Sequence, residues 1–229
     1  MKLTNTLACV LVSHADRLLL KPFIESWNKL DSGMKLVALV DIDSEPFDTE
    51  GLTTYPLVWD KDRDKPLANG VAMSLLNAAE EENAEAVIKL DVDCIHNKMD
   101  WLTPYVDDYE VVGFTHTLND AYFFGAAYYM TLNALTRVTK FLLRQDKWDR
   151  PEDLGMARAV KRLGIPCYRS KMGKLFCGTS ANVEFETYAF LNYGINHAGQ
   201  FGKDTLGRAR VLFLMNRINK LKRLKETDG

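Results

Sequence analysis

Cysteine is scarce in this sequence and unpatterned: Cys9, Cys94, Cys167 and Cys177 stand far apart, with no CxxC pair and no zinc-like spacing. That excludes a disulfide framework and fits a reducing compartment, with the four side chains serving as small apolar fillers. No charge of one sign dominates. Lys and Arg number 29 against 31 Asp and Glu, a formal net charge of −2, so overall charge singles out no partner. No apolar run approaches the roughly 18 residues of a membrane helix. The opening MKLTNTLAC has only Leu7 and Ala8 between polar Asn5 and Thr6 and Cys9, too little for a secretory leader or a lipid-modified cysteine. A cytoplasmic location is therefore expected. Low-complexity tracts, internal repeats and Gly/Pro/Ser-rich linkers are missing as well. At 229 residues and 47% hydrophobic, the chain can bury one substantial core. The expectation is one continuous domain over 1–204 with an appended C-terminal helix over 205–229.

What the sequence does have is alternation. TLACVLVSH (6–14) is a short run rich in β-formers, RLLLKPFIESWNKL has helical spacing, and MKLVALVDID (34–43) is a second buried-strand run. TYPLVWD (54–60) reads as a third strand, PLANGVAMSLLNAAEEEN (66–83) as a helix with proline near its first turn, and EAVIKLDVD as a fourth strand. Strands alternating with helices predict an α/β fold, a mostly parallel sheet flanked by helices. The second half is more mixed. YEVVGFTH (109–116) and AYFFGAAYYM (121–130) read as strands, and 132–145 and 151–164 as helices. Near the end, Val211, Leu214, Met215, Ile218 and Leu221 recur at helical spacing, predicting an amphipathic helix with a basic outer face.

Ligands of such sheets bind beyond the carboxyl ends of the strands, and polar residues collect there: Ser13, His14, Asp41, Asp43, Asp60, Asp91 and Asp93. The pair in KLDVDC is the sharpest signal. Two carboxylates one residue apart at a strand exit suit a hard cation, Mg2+ or Mn2+, whose remaining ligands are phosphate oxygens. An isolated D-x-D is also an ordinary turn with solvated aspartates. Two other stretches bear on the choice. NHAGQFGKD (196–204) offers His197 as a neutral imidazole, glycines that let backbone approach phosphate, and Lys203 as a point charge. PEDLGMARAVKRLG opens a helix on Glu152 and Asp153, where carboxylates also serve as ordinary caps.

Together, in the chain order D-x-D, then E-D opening a helix, then a histidine with glycine and lysine behind it, these stretches resemble the glycosyltransferases of the GT-A fold. KLDVDC resembles their D-x-D, and the resemblance implies that Asp93 and Asp91 bind metal, with Asp91 also near the donor's ribose. PEDLGMARAVKRLG resembles the E-D helix of the large inverting group. HAGQFGK is similar to the H-x-x-G-x-x-K of the glycogenin-like and galactosyltransferase-like members, although glycine follows His197 at two residues rather than three. The implied function is metal-dependent transfer of a sugar from a nucleoside-diphosphate sugar, a UDP-sugar favoured, to an acceptor hydroxyl. His197 joins the metal ligands and Lys203 the diphosphate. Ser13 and His14 lie by the base and ribose, Asp43 accepts from the base N–H, and Gly125 runs along the donor sugar. Asp153 is the expected base, with Glu152 second, and inversion is favoured. A helix N-terminus lowers a carboxylate's pKa and keeps it ionised. Trp148 is a candidate for stacking on an acceptor ring.

The acceptor stays open between a glycan, a lipid-linked sugar and a hydroxymethylated base in DNA. The basic residues from Arg208 to Lys225 suit DNA phosphates or a headgroup layer and equally a solvated helix face. A nucleotidyltransferase would share the sheet and the aspartates, but SHADRLLLKP lacks a glycine- and lysine-rich loop. A haloacid-dehalogenase phosphatase places D-x-D after its first strand, and three strand candidates precede it here. A non-catalytic nucleotide-sugar or DNA-binding module remains if Glu152 and Asp153 only cap their helix.

Overall fold

A computed structural model of the chain describes residues 3–30, 32–60, 65–96, 98–116, 119–145, 152–170, 175–177, 195–197, 212–213, 215–216 and 219–220. The chain opens β1 (Thr6–Val12), α1 (Arg17–Asn28), β2 (Lys35–Asp41) and β3 (Thr53–Leu57). A small antiparallel pair, β4 (Trp59–Asp60) and β5 (Lys65–Pro66), leads into α2 (Ala68–Glu81) and β6 (Ala86–Asp91). After β6 come β7 (Cys94–His96), β8 (Val111–His116), β9 (Asn119–Thr131), α3 (Leu132–Leu142) and α4 (Glu152–Arg162). Three short strands follow: β10 (Cys167–Ser170), β11 (Leu175–Cys177) and β12 (Ile195–His197). Residues 212–213, 215–216 and 219–220 have helical backbone.

Seven strands form the main sheet in the order β10-β8-β9-β6-β1-β2-β3. All neighbours run parallel except β9, which is antiparallel to both β6 and β8. Every residue of β1 is buried, as a central strand covered on both faces requires. Its side chains alternate between two cores. Ala8, Val10 and Val12 face one that also holds Phe23 and Trp27 of α1, while Leu7, Cys9 and Leu11 face the other, filled by α2, α3 and α4. Thr131 begins α3 by accepting the Ala134 N–H at 3.2 Å. Gly70 lets the first turn of α2 lie against the strand end, since a Cβ there would stand 3.0 Å from the Cβ and carbonyl oxygen of Val58.

The expected third strand, 54–60, divides at Val58: β3 belongs to the main sheet and β4 turns away to pair with β5. Pro56 explains why β3 can only be an edge, because it offers no N–H to a further neighbour. At the far end of the chain Met215 is buried in the first core, and the Asn219 side-chain amide donates to the Pro22 carbonyl of α1 at 2.9 Å. Lys220 is exposed, and the other basic residues from Arg208 to Lys225 lie outside the described ones. Among the described residues no helix is long and apolar enough to cross a membrane.

Candidate active site

Parallel strands bring their carboxyl ends to one edge. β6, β1 and β2 are adjacent, and Leu11 stands beside Asp91 in register, so Asp91, Ser13 and Asp41 end three neighbouring strands on one side of the sheet. β9 pairs back along β6 as far as Leu90 opposite Ala127, which carries Gly125 toward the same end. Asp60 falls on β4, outside the main sheet.

Behind the strand ends the backbone is tied down. The His14 N–H donates to Ser44 Oγ at 2.9 Å, Ser44 Oγ lies 3.5 Å from Asp41 Oδ2, and the Asp43 N–H donates to Asp41 Oδ1 at 3.1 Å. Asp41 is thus the buried anchor of this loop, and Asp43 is exposed. Ser13 Oγ donates to Asp16 Oδ2 at 2.8 Å, and the His14 ring lies 3.6 Å from Glu45 Oε2, with the Phe47 ring centroid 6.2 Å away.

Asp91 closes β6 and Asp93 sits in the turn before β7, both half-buried. Cys94 Sγ is 3.9 Å from Asp93 Oδ1. β12 pairs antiparallel with β7, which sets His197 opposite Cys94, one position from Asp93. The structure therefore brings the backbone of His197, more than a hundred residues away in sequence, beside the D-x-D turn. Among the described residues no cluster of three or more His, Cys, Asp or Glu could by itself hold a metal ion. Lys203 and Trp148 lie outside the described residues.

Glu152 and Asp153 open α4 against this same end. The Asp153 carboxylate accepts the Leu154 N–H at 2.8 Å. Glu152 points into the sheet instead, 5% exposed, and accepts from the Tyr128 hydroxyl at 2.6 Å through one oxygen. Its other oxygen lies 3.5 Å from Lys89 Nζ, which is 2.5 Å from Asp91 Oδ1. Burial would lower the Lys89 pKa, but the charges of Asp91 and Glu152 outweigh it and hold the ammonium above the ordinary lysine range. One cation balances one carboxylate, and Asp91 is the nearer. Burial pushes the Glu152 carboxyl up to about 7, against the pull of Lys89 and with the charge of Asp153 adding to the rise. At Glu152 burial reverses the downward shift expected at a helix start.

This shift has a measurable sign. The folded protein keeps on Glu152 a proton that the unfolded chain releases near pH 4.3, so the stability it contributes is full below that value and lost as pH rises through about 7. In denaturant titrations, Glu152→Gln should therefore gain on the wild type by on the order of 3 kcal/mol between pH 4.5 and 7.5, then hold constant. A gap that stays level would show an ordinary carboxylate, and one that narrows with rising pH a carboxylate held ionised by the fold.

Lys89 and Tyr128 carried no expectation from the sequence. The available signal was a lysine inside the apolar run AVIKLD, since a charge in a buried strand needs a partner on its own face, and Asp91 is two residues on.

No family model matches the sequence, and no curated protein matches it. Solved structures do. A glycosyltransferase involved in glycosylation of the major capsid of PBCV-1 superposes with a TM-score of 0.59 at 14% identity, over 93% of this chain and 98% of that one. The galactosyltransferase LgtC, in complex with donor and acceptor sugar analogues, gives 0.52 at 13% identity over 92% and 95%. An active-site mutant of LgtC gives 0.55 at 11% identity, again over 92% and 95%. The chain has the fold of these glycosyltransferases, the GT-A fold, with a mostly parallel sheet flanked by helices.

Proposed function

We propose that the protein is a metal-dependent glycosyltransferase that moves a sugar from a nucleoside-diphosphate sugar, with a UDP-sugar favoured, to a sugar hydroxyl. One observation carries this reading: in a GT-A fold, Asp91 ends β6 and Asp93 follows in the turn to β7, where β12 sets the backbone of His197 opposite Cys94. The residue types suit a hard divalent cation such as Mn2+ or Mg2+: two carboxylates at a half-buried strand end and turn, and a histidine on the strand whose backbone pairs beside it. Asp93 and His197 would hold it, with Asp91 beside them. When bound, such a cation offsets the charge that develops on the leaving diphosphate.

The remaining roles belong to the chain. Lys203 supplies a point charge to the diphosphate, Ser13 and His14 border base and ribose, and Asp43 accepts from the base N–H. Gly125 lets the donor sugar lie close along β9. Asp153 takes the proton from the acceptor hydroxyl as it attacks the anomeric carbon opposite the diphosphate, with inversion. Glu152 is the weaker candidate for that base, because both of its oxygens are engaged inside the protein. A sugar acceptor is favoured over DNA because the LgtC complex contains an acceptor sugar analogue.

Asp153→Asn tests the assignment. It should keep donor binding and lower transfer by about 100-fold or more, with the wild-type product showing the opposite anomeric configuration from the donor by NMR. Wild-type transfer in the Asn variant, or a product with the donor's configuration, would remove Asp153 from the role of base. A protein that binds nucleotide sugar and never transfers it, whatever residue 153 is, would be a binding module.

A further inference from the structure

The candidate active site uses one end of the sheet. At the other end, where β1 and β6 begin and β9 finishes, lies a cavity of about 190 Å³. Thr6, Ala86 and Thr131 stand in one row across the three strands, and alternation puts their side chains, with that of Tyr129, on the face that carries Ala8 and Val10. Ala86 is the small member between two threonines, and the space over its methyl group is part of the cavity. The rim is fixed by backbone bonds. The Glu85 N–H donates to the Asn5 carbonyl at 2.9 Å, the Leu132 N–H to the Glu85 carbonyl at 2.8 Å, and the Thr131 N–H to the Glu110 carbonyl at 2.9 Å.

The lining has a distinct chemistry. Tyr129 is 1% exposed and Thr6 4%, and among the described residues neither side-chain hydroxyl has a hydrogen-bond partner. Buried hydroxyls that line a cavity in this way suit a ligand that brings hydrogen-bonding groups of its own. Burial pushes the Tyr129 phenol up to about 12, the charges of Asp107 and Glu85 add to the rise, and the group stays a protonated donor at neutral pH. Asn5 and Glu85 line the cavity and are exposed, which places an amide and a carboxylate at its mouth. No lysine or arginine is among the described residues that line it, so a phosphate or an acidic group would meet negative charge there without a cation to offset it. The volume is below the roughly 300–1,000 Å³ of pockets for drug-sized ligands. Methyl groups between hydroxyls match the two surfaces of a sugar ring, its C–H face and its hydroxyl edge. We propose that this cavity is a second saccharide site, which takes a single neutral or amino sugar unit at the end of the sheet remote from the D-x-D.

The inference goes beyond the transfer reading and does not depend on it. Ala86 and Asp91 open and close β6, five residues or about 16 Å apart, so the two sites are tested separately. Methyl NMR of the full chain reads Ala86, Thr6, Thr131 and Val106, all of which line the cavity. Spectra are recorded with glucose, galactose, N-acetylglucosamine, glucosamine and glucuronate, each to about 50 mM so that a millimolar dissociation constant is seen. Wild type is compared with Tyr129→Phe, which keeps the ring and removes the hydroxyl, with Ala86→Leu, which fills the cavity, and with Asp93→Asn at the other end of the sheet.

At least one neutral or amino sugar should shift these methyl signals in wild type, and glucuronate should not. Tyr129→Phe should weaken that sugar by about 3–10-fold, Ala86→Leu should abolish its binding, and Asp93→Asn should leave it unchanged. If Ala86→Leu does not fold, Tyr129→Phe decides the matter alone. No shift with any of the five sugars would overturn the proposal, as would a shift that glucuronate produces equally or that Tyr129→Phe leaves at wild-type affinity. Binding lost in Asp93→Asn would assign the sugar to the active site and overturn it too. A wild-type protein that binds no nucleotide in Mn2+ would remove the transfer reading, and sugar binding sensitive to Tyr129→Phe would still establish this site.

Discussion

Asp93→Asn is expected to abolish metal-dependent nucleotide binding while leaving the fold almost untouched. A nucleoside diphosphate at 100 times its dissociation constant stabilises the protein that binds it by about 2.7 kcal/mol. In wild type with Mn2+ that should appear as a rise in melting temperature. In Asp93→Asn the rise should disappear, and transfer should fall by at least about 100-fold. Asp93 stands half-buried in a turn, so its own removal costs little stability. The same substitution at Asp91 should behave differently, because Asp91 is the nearest counter-ion of a buried lysine. Asp91→Asn should lower the melting temperature even without ligand.

The largest effect on stability is expected at Lys89. Lys89→Met leaves Asp91 and Glu152 facing each other without the cation between them, and breaking a buried ion pair from one side costs about 3–5 kcal/mol. Above about pH 7, where Glu152 is ionised, adding Glu152→Gln should return most of that loss, since the glutamine still accepts from Tyr128 and carries no charge to desolvate. A double-mutant cycle in urea isolates the coupling between the two. A Lys89→Met protein as stable as wild type would mean that the cluster is solvated and the ammonium replaceable by water.

Much of this layout was legible in the sequence, for physical reasons that differ from element to element. β1, β2 and β6 are central parallel strands covered on both faces, so they appear as apolar runs, that of β6 interrupted by Lys89. Their polar ends placed Ser13, Asp43, Asp91 and Asp93 on one edge because parallel strands share a carboxyl side. The first turn of α4 was visible from Glu152 and Asp153. The short strands β7, β10, β11 and β12 were not, since three or four residues carry no period and pair only with chain far away in sequence. For the same reason nothing local could set His197 opposite Cys94, and only its place in a family pattern brought it forward.

The Lys89 cluster was hidden differently. Its members lie on β6, β9 and the start of α4, and the register of Lys89 with Tyr128 exists only once β9 has entered the sheet antiparallel. Sequence reading treats Glu152 as an exposed helix-start carboxylate, and the packing of α4 on β9 makes it a buried one. The shift of its pKa follows from that placement.

Release of nucleoside diphosphate from a panel of nucleotide sugars by the purified chain in Mn2+, with a simple sugar present as acceptor, is the decisive measurement. Glycosyl transfer requires diphosphate release from one nucleotide sugar, growth of the acceptor's mass by one sugar unit, and loss of both in Asp93→Asn. An intact panel, with no nucleotide raising the melting temperature in Mn2+ or Mg2+, would contradict it and leave KLDVDC an ordinary turn at the end of a strand.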